Sequence, residues 1–377
     1  MSRDPAVAVV GLGAMGSATL WQLAARGVPA IGFEQFEPGH DRGSSHGESR
    51  IIRTAYFEGE QYVPLARRAF ELWERLQRES GAGVLIRTGG LMIGAPGSEV
   101  VTGTRHSVET HGLAHEMLDA EEMVRRYPAH RLDGDEVAIL EEPAGVLRPE
   151  RAIRAMAARA AELGALVRTG VTVEQVEETD AGVSVVAGGE RYQVDQAVIS
   201  VGPWLPAFLP GLGRNLTVTR QVMAWLPIAD PAAFAPDRFP IFIHEADSHQ
   251  AYGFPTLDGE TIKIAIHREG EATDVRTVDR SVHPADLAPI REFVERYLDG
   301  VIPTVVRSQV CLYTNTPDGH FMIGPVSDRG RMMVLGGFSG HGFKFAPVIG
   351  EIAADLATVG RTLRLVAQFD PQRFAAP

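Results

Sequence analysis

Residues 6–34 constrain the fold more than any other part of the chain. Ala6-Val7-Ala8-Val9-Val10 is a continuous apolar, largely β-branched run, the pattern of a strand buried on both faces. Gly11-Leu12-Gly13-Ala14-Met15-Gly16 follows at once. Residues 17–26 then offer Ala18, Leu20, Leu23 and Ala24 as the buried stripe of a helix, and residues 29–33 read as a second strand ending in Glu34. In that strand–turn–helix–strand setting each glycine has a task. Gly11 allows the tight turn, Gly13 lets backbone approach a pyrophosphate, and Gly16 lets helix and strand pack closely. The helix N-terminus presents free N–H groups to the phosphates. Glu34 lies 18 residues beyond Gly16, placed to bind ribose hydroxyls and to disfavour a 2′-phosphate. The chain therefore starts as an α/β, Rossmann-like dinucleotide-binding domain, and the motif alone leaves FAD and NAD both open.

The 377 residues exceed one ordinary core, so a second domain is expected. A net charge of −12 argues against nucleic acid as a partner. The longest apolar runs, residues 6–10 and 332–335, are too short to span a bilayer, so no membrane association is expected. The N-terminus runs almost directly into a strand without the apolar region of a secretory signal. With a single cysteine, this points to the cytoplasm. His40, His106, His111 and His115 have no companion cysteines or ordered acids, and read as surface histidines without a metal.

After Glu34 the chain does not continue into another strand–helix unit. Residues 36–56 form a long polar, glycine-rich loop with two histidines and three arginines, better suited to lining the distant part of a large cofactor such as FAD. The sole cysteine, Cys311, sits in Cys-Leu-Tyr-Thr-Asn-Thr-Pro-Asp-Gly-His-Phe-Met-Ile-Gly. A lone thiol forms no internal disulfide and no metal cage; it can pack, react or hold a group covalently.

The chain resembles the monomeric sarcosine oxidase and N-methyltryptophan oxidase family of covalent-flavin amine oxidases. The resemblance spans nearly the whole chain in four blocks: residues 11–34; Gly43-Ser44-Ser45-His46-Gly47-Glu48-Ser49-Arg50-Ile51-Ile52-Arg53-Thr54-Ala55-Tyr56; Tyr252-Gly253-Phe254-Pro255 with residues 262–267; and the Cys311 segment with Gly336-Gly337-Phe338-Ser339-Gly340-His341-Gly342-Phe343-Lys344-Phe345. The second and fourth blocks are the specific ones. The resemblance implies FAD attached through a thioether to Cys311, with Gly11, Gly13, Gly16, Glu34, Ser44, His46, Arg50, Gly340, Gly342 and Lys344 around the cofactor. It implies Arg53 and Lys344 on the substrate carboxylate, Lys263 as the activator of oxygen, and His267, Tyr252 and Tyr313 as pocket residues. Ser45, Thr54 and Gly324 depart from the family pattern.

Chemistry agrees with these residue types. Arg53 offers a bidentate fork for a carboxylate and Lys344 a point charge. Strand alternation places Thr261, Lys263, Ala265 and His267 on one face and Ile262, Ile264 and Ile266 on the other. Without the resemblance, the Lys/His face reads as solvated; facing a flavin, a fixed cation lowers the cost of giving dioxygen an electron. The expected activity is oxidative demethylation of sarcosine or a related small N-methyl amino acid, with molecular oxygen as acceptor and formaldehyde and hydrogen peroxide as products, by a monomer. A bulkier N-methyl or cyclic amino acid (N-methyltryptophan or pipecolate type), or a dehydrogenase with another acceptor, are the alternatives.

Two interleaved domains are expected: residues 1–85, 145–215 and 308–377 for FAD, and 86–144 and 216–307 as a mostly antiparallel sheet for the substrate. Helices are expected at 150–163, 284–297 and 346–359, one strand over 165–176, a hairpin closed by Gly188-Gly189, and strands at 197–202, 221–226, 250–254 and 332–335.

Overall fold

The computed structural model describes residues 4–374 except 248, 269, 328 and 365. Strand Val7–Val10, helix Ala14–Ala25 and strand Ala30–Phe33 realise the predicted opening, with the helix starting three residues before the expected 17. Val7–Val10 pairs in parallel with Ala30–Phe33 on one side and Gln196–Ile199 on the other. Both neighbours satisfy its ladder, and its two faces are covered by different layers, Val7 and Val9 on one side and Ala8 on the other, which is why it is apolar throughout. The six-stranded sheet has the order Met322–Pro325, Met332–Gly336, Gln196–Ile199, Val7–Val10, Ala30–Phe33, Leu166–Arg168, and only the Met322–Pro325 edge is antiparallel.

Helices Ala14–Ala25, Val63–Ser80, Pro149–Glu162 and Ala346–Val359 share the core on one face of this sheet. The other face packs on the antiparallel strands Val173–Thr179, Gly182–Ala187 and Glu190–Val194. Gly188 and Gly189 close the predicted hairpin at φ 58° and 78°, the positive values such a turn needs. The single strand expected over 165–176 is instead two. Gly170, at φ 67°, breaks it, and Leu166–Arg168 and Val173–Thr179 join different sheets.

The second large sheet has eight strands in the order Arg307–Asn315, Thr217–Pro227, Thr261–Ile266, His249–Gly253, Ile241–Ala246, Gly90–Gly94, Val137–Glu141, Glu116–Leu118. It is antiparallel except where Ile241–Ala246 lies parallel to Gly90–Gly94. Helix Pro284–Tyr297, as expected from sequence, covers one face with Ile290, Phe293 and Val294 against Ile262, Ile264 and Ile266. The alternate residues of the same strands, Met223, Trp225, Ala265 and Cys311, form the opposite face. Lys263 shares that face and is only 3% exposed, so the solvated strand face of the sequence reading is a buried one. Among the described residues no helix is long and apolar enough to cross a membrane.

Candidate active site

A cavity of about 260 Å³ runs along the C-terminal ends of the parallel strands, from Gly11, Gly13 and Glu34 past Ser200 and Trp204 to Arg50, Tyr313, Gly340 and Gly342. Its first end is made of backbone. A Cβ on Gly11 would stand 2.8 Å from the Ser200 carbonyl oxygen, and one on Gly16 only 1.8 Å from that of Gly11. These two glycines let the turn and helix close. Gly13 is different: a Cβ there meets nothing within 4 Å, so the missing side chain leaves room for a ligand. Gly13 caps the helix without any side-chain cap, and the N–H groups of its first turn remain for an anion. Glu34 is buried at the end of its strand, one oxygen accepting from the Leu12 N–H at 2.8 Å and the other from the Phe36 N–H at 3.0 Å. His40, expected at the surface, lies 3.5 Å from Glu34 and lines the cavity.

The other end is made of side chains. Cys311 is buried, with its Sγ 3.5 Å from Nη2 of Arg50 and 3.5 Å from the Ser44 carbonyl. Burial pushes the thiol up, but Arg50 and the adjacent His46 outweigh it, and the thiol sits at about 7. Neither ring nitrogen of His46 has a hydrogen-bond partner among the described residues. Lys263 donates to the carbonyls of Gly47 (2.8 Å) and Ser49 (2.7 Å), and its Nζ lies 4.4 Å from the Phe254 ring centroid. Burial, then Arg50, pushes its pKa well below the usual lysine value. Lys263 lines neither cavity; it touches the loop that does.

A second, smaller cavity of about 70 Å³ adjoins the first, sharing Arg50, Tyr313, Gly340 and Phe343 with it. Its wall brings together Cys311, Arg53, Lys344, Tyr252, His267 and Tyr313, residues far apart in the chain. Arg53 is 1% exposed, lies over the rings of Tyr56 and Phe57 (4.2 and 4.5 Å), and pairs with Glu58. Burial would raise the Glu58 carboxyl, but Arg53 holds it down at about 2. Lys344 is buried rather than exposed on its glycine-rich turn, donating to the His341 carbonyl (2.9 Å) and the Tyr56 hydroxyl (3.3 Å). Burial, then the nearby Arg53, brings its ammonium down to about 7. His267 is pushed to about 3, mainly by burial, and its Nδ1 stands 3.3 Å from the Tyr313 hydroxyl.

The glycines of the fourth block also shape this end. A Cβ on Gly340, which has φ 80°, would stand 2.3 Å from the Tyr313 ring, and one on Gly342 would stand 2.5 Å from Phe338. Of the departures, Ser45 lines the large cavity, while the Thr54 N–H donates at 2.7 Å to Glu141 behind Arg53. Gly324 lies in an edge strand at φ 156°, beside Pro371 and away from both cavities. Glu58, Tyr56, His341 and Glu150 carry interactions that the sequence reading did not assign. Tyr56 and His341 stand inside the quoted motifs, and Glu58 follows Arg53 by five residues, so proximity was the available signal.

The residues fit a dinucleotide: an unfilled Gly13, a free helix start, a fixed carboxylate at the end of the second strand, and a cavity that runs on to Arg50 and Tyr313. Comparison with known proteins agrees. The family model described as FAD dependent oxidoreductase matches residues 6–356. Monomeric sarcosine oxidase of Streptomyces avermitilis is 42% identical over 100% of this chain and 99% of its own length. N-methyl-L-tryptophan oxidase of Escherichia coli is 33% identical over 93% of this chain and 94% of its own. Two solved structures share the fold: NikD, an unusual amino acid oxidase essential for nikkomycin biosynthesis (TM-score 0.86, 24% identity, 98% of each chain), and L-proline dehydrogenase from P. horikoshii (TM-score 0.83, 23% identity, 99% of this chain and 98% of the other). The chain belongs to the family of FAD-dependent oxidoreductases.

Proposed function

We propose that this enzyme demethylates small N-methyl amino acids, sarcosine foremost, with FAD carried as a thioether on Cys311. The observation that carries the reading is the 70 Å³ cavity, which sets two buried cations, Arg53 and Lys344, beside the end of the dinucleotide cavity. Bound FAD supplies the two-electron oxidation of the N–CH₃ bond and passes the electrons to dioxygen, so that with water the products are formaldehyde, the demethylated amino acid and hydrogen peroxide.

The chain's own groups support this assignment. The Nε of Arg53 is buried without a partner among the described residues, and the Lys344 ammonium uses two of its three N–H donors inside the protein. A substrate carboxylate satisfies both remainders. Burial keeps His267 neutral and Tyr252 in its phenol form, so neither brings a charge to the cavity at neutral pH. Lys263, held on the Gly47 and Ser49 carbonyls of the loop that runs to Arg50, is the group assigned to the oxygen step. The smallness of the second cavity favours a glycine-sized amino acid over an indole. The same reading takes the protein as a cytoplasmic monomer with the interleaved domain division given above.

The test is direct. Sarcosine added without air should bleach the flavin, and air should restore it with one peroxide per turnover. Yellow colour should stay with the acid-precipitated protein and leave it in Cys311→Ala. No bleaching by sarcosine, together with bleaching by N-methyltryptophan, would replace the substrate.

A further inference from the structure

The segment that carries His46 and Arg50 has an unusual backbone. Gly47 stands at φ 90° and Glu48 at φ 68°, and the second value is costly for a residue with a Cβ. Three groups hold it there. Lys263 takes the carbonyls of Gly47 and Ser49, and Arg307 takes the Glu48 carboxylate, with its Nη2 at 2.8 Å. The N–H groups of Gly47 and Glu48 both point at a single atom, Oε1 of Glu150, at 2.6 and 3.0 Å. Buried N–H groups require such an acceptor.

Glu150 is well placed for this. It lies in the first turn of helix Pro149–Glu162, where Pro149 fixes the entry. The strand just before it, Gly145–Leu147, pairs with Arg50–Ile52, with Leu147 opposite Arg50. One short stretch, 145–150, thus grips both sides of the loop. Beyond the loop, Arg50 donates to Ser44 at 3.0 Å and to Cys311 at 3.5 Å.

We propose that Glu150 is a positioning residue: by accepting the Gly47 and Glu48 N–H groups it seats His46 and Arg50 on the Cys311 thiol. The inference rests on the reading of Cys311 as the flavin-bearing thiol. Besides His46 and Arg50, the titratable groups acting on that thiol are Tyr313 on its own strand, Lys263 on Thr261–Ile266 and Tyr252 on His249–Gly253. None of these depends on Glu150 for its backbone, but the Glu150 charge also acts on Lys263 and Arg50, so variants that keep the charge or keep the acceptor separate the loop from the field.

The experiment uses full-length protein from riboflavin-limited cells, given FAD and followed for colour that survives acid precipitation, across pH. Glu150→Ala should attach flavin at least about ten-fold more slowly than the parent at neutral pH, with the pH midpoint moved up by about one unit toward a free thiol. Glu150→Gln keeps an oxygen acceptor and should stay within about three-fold of the parent. Glu150→Asp, which withdraws the carboxylate but keeps its charge, should be slow, and it covers the case in which the alanine variant does not fold. Parent-like rate and midpoint in Glu150→Ala or Glu150→Asp, or Glu150→Gln as slow as Glu150→Ala, overturns the proposal. If the parent itself retains no colour, the thioether reading fails. The pH midpoint of iodoacetamide labelling at Cys311 then still decides whether Glu150 acts on the thiol.

Discussion

The two ends of the cavity are built from different materials. The dinucleotide end is peptide backbone: three glycines, a free helix start and one fixed carboxylate, all within residues 11–34. The other end, where the second cavity adjoins it, is side chains: Arg50 and Arg53 from one segment, Cys311 and Lys344 from two others, and Lys263 beneath the loop that runs to Arg50. The first end is defined by atoms that are missing, and a single added methyl can block it. The second is defined by buried charges, each tolerable only with a partner. A backbone site fails by obstruction and a side-chain site by lost compensation, and the expected outcomes below separate the two.

The largest effect should come from Gly16→Val. Its Cβ would fall 1.8 Å from the Gly11 carbonyl oxygen, so the protein should be colourless and less stable by at least about 3 kcal/mol. Visible absorbance and thermal melting check this, and a yellow, stable variant would break the backbone account. Next is Arg53→Met. It strips the partner from Glu58 and should cost about 3–5 kcal/mol of stability, while kcat/KM for sarcosine falls at least about a thousand-fold. Adding Glu58→Gln should restore stability but not kcat/KM; recovery of both would make Arg53 a structural residue only. Lys263→Met should slow flavin reoxidation about a hundred-fold, with less change in anaerobic reduction, in stopped-flow measurements. Equal slowing of both would remove the division of labour.

The smallest effect is in pH. Lys344 at about 7 is half charged near neutrality, and a carboxylate ligand needs it charged. Affinity for a simple carboxylate such as acetate should therefore fall as pH rises above about 7, by up to about ten-fold per unit, and be nearly flat in Lys344→Met. The sign for stability is opposite. The folded value of about 7 lies below the ordinary 10.5, so the unfolded chain holds more protons between them, and this residue's contribution to stability rises with pH across that window.

The same contrast explains what the sequence made legible. The Val7–Val10 strand, its glycine turn and Glu34 act on one another locally, so spacing alone reveals them. Helices Pro284–Tyr297 and Ala346–Val359 match their apolar periodicity. Lys263 did not announce its burial, because one strand of alternating residues looks alike against water or against a loop from residues 47–49. Glu58 and Glu150 were invisible for the same reason. A lone acid gains meaning only from the Arg53 side chain or the Gly47 amide that the fold brings to it. The break at Gly170 was missed because a glycine in an otherwise strand-like run reads as a bulge as readily as a stop.

The strand order has one more consequence, for how the protein is made. Val7–Val10 sits beside Gln196–Ile199, which follows it by more than 180 residues and in turn pairs with Met332–Gly336. In the larger sheet, Gly90–Gly94 waits for Ile241–Ala246, and the edge waits for Arg307–Asn315. Neither sheet is complete until most of the polypeptide has left the ribosome. The nascent chain must carry unpaired apolar edges for much of synthesis, so assembly should be slow and dependent on chaperones at high expression.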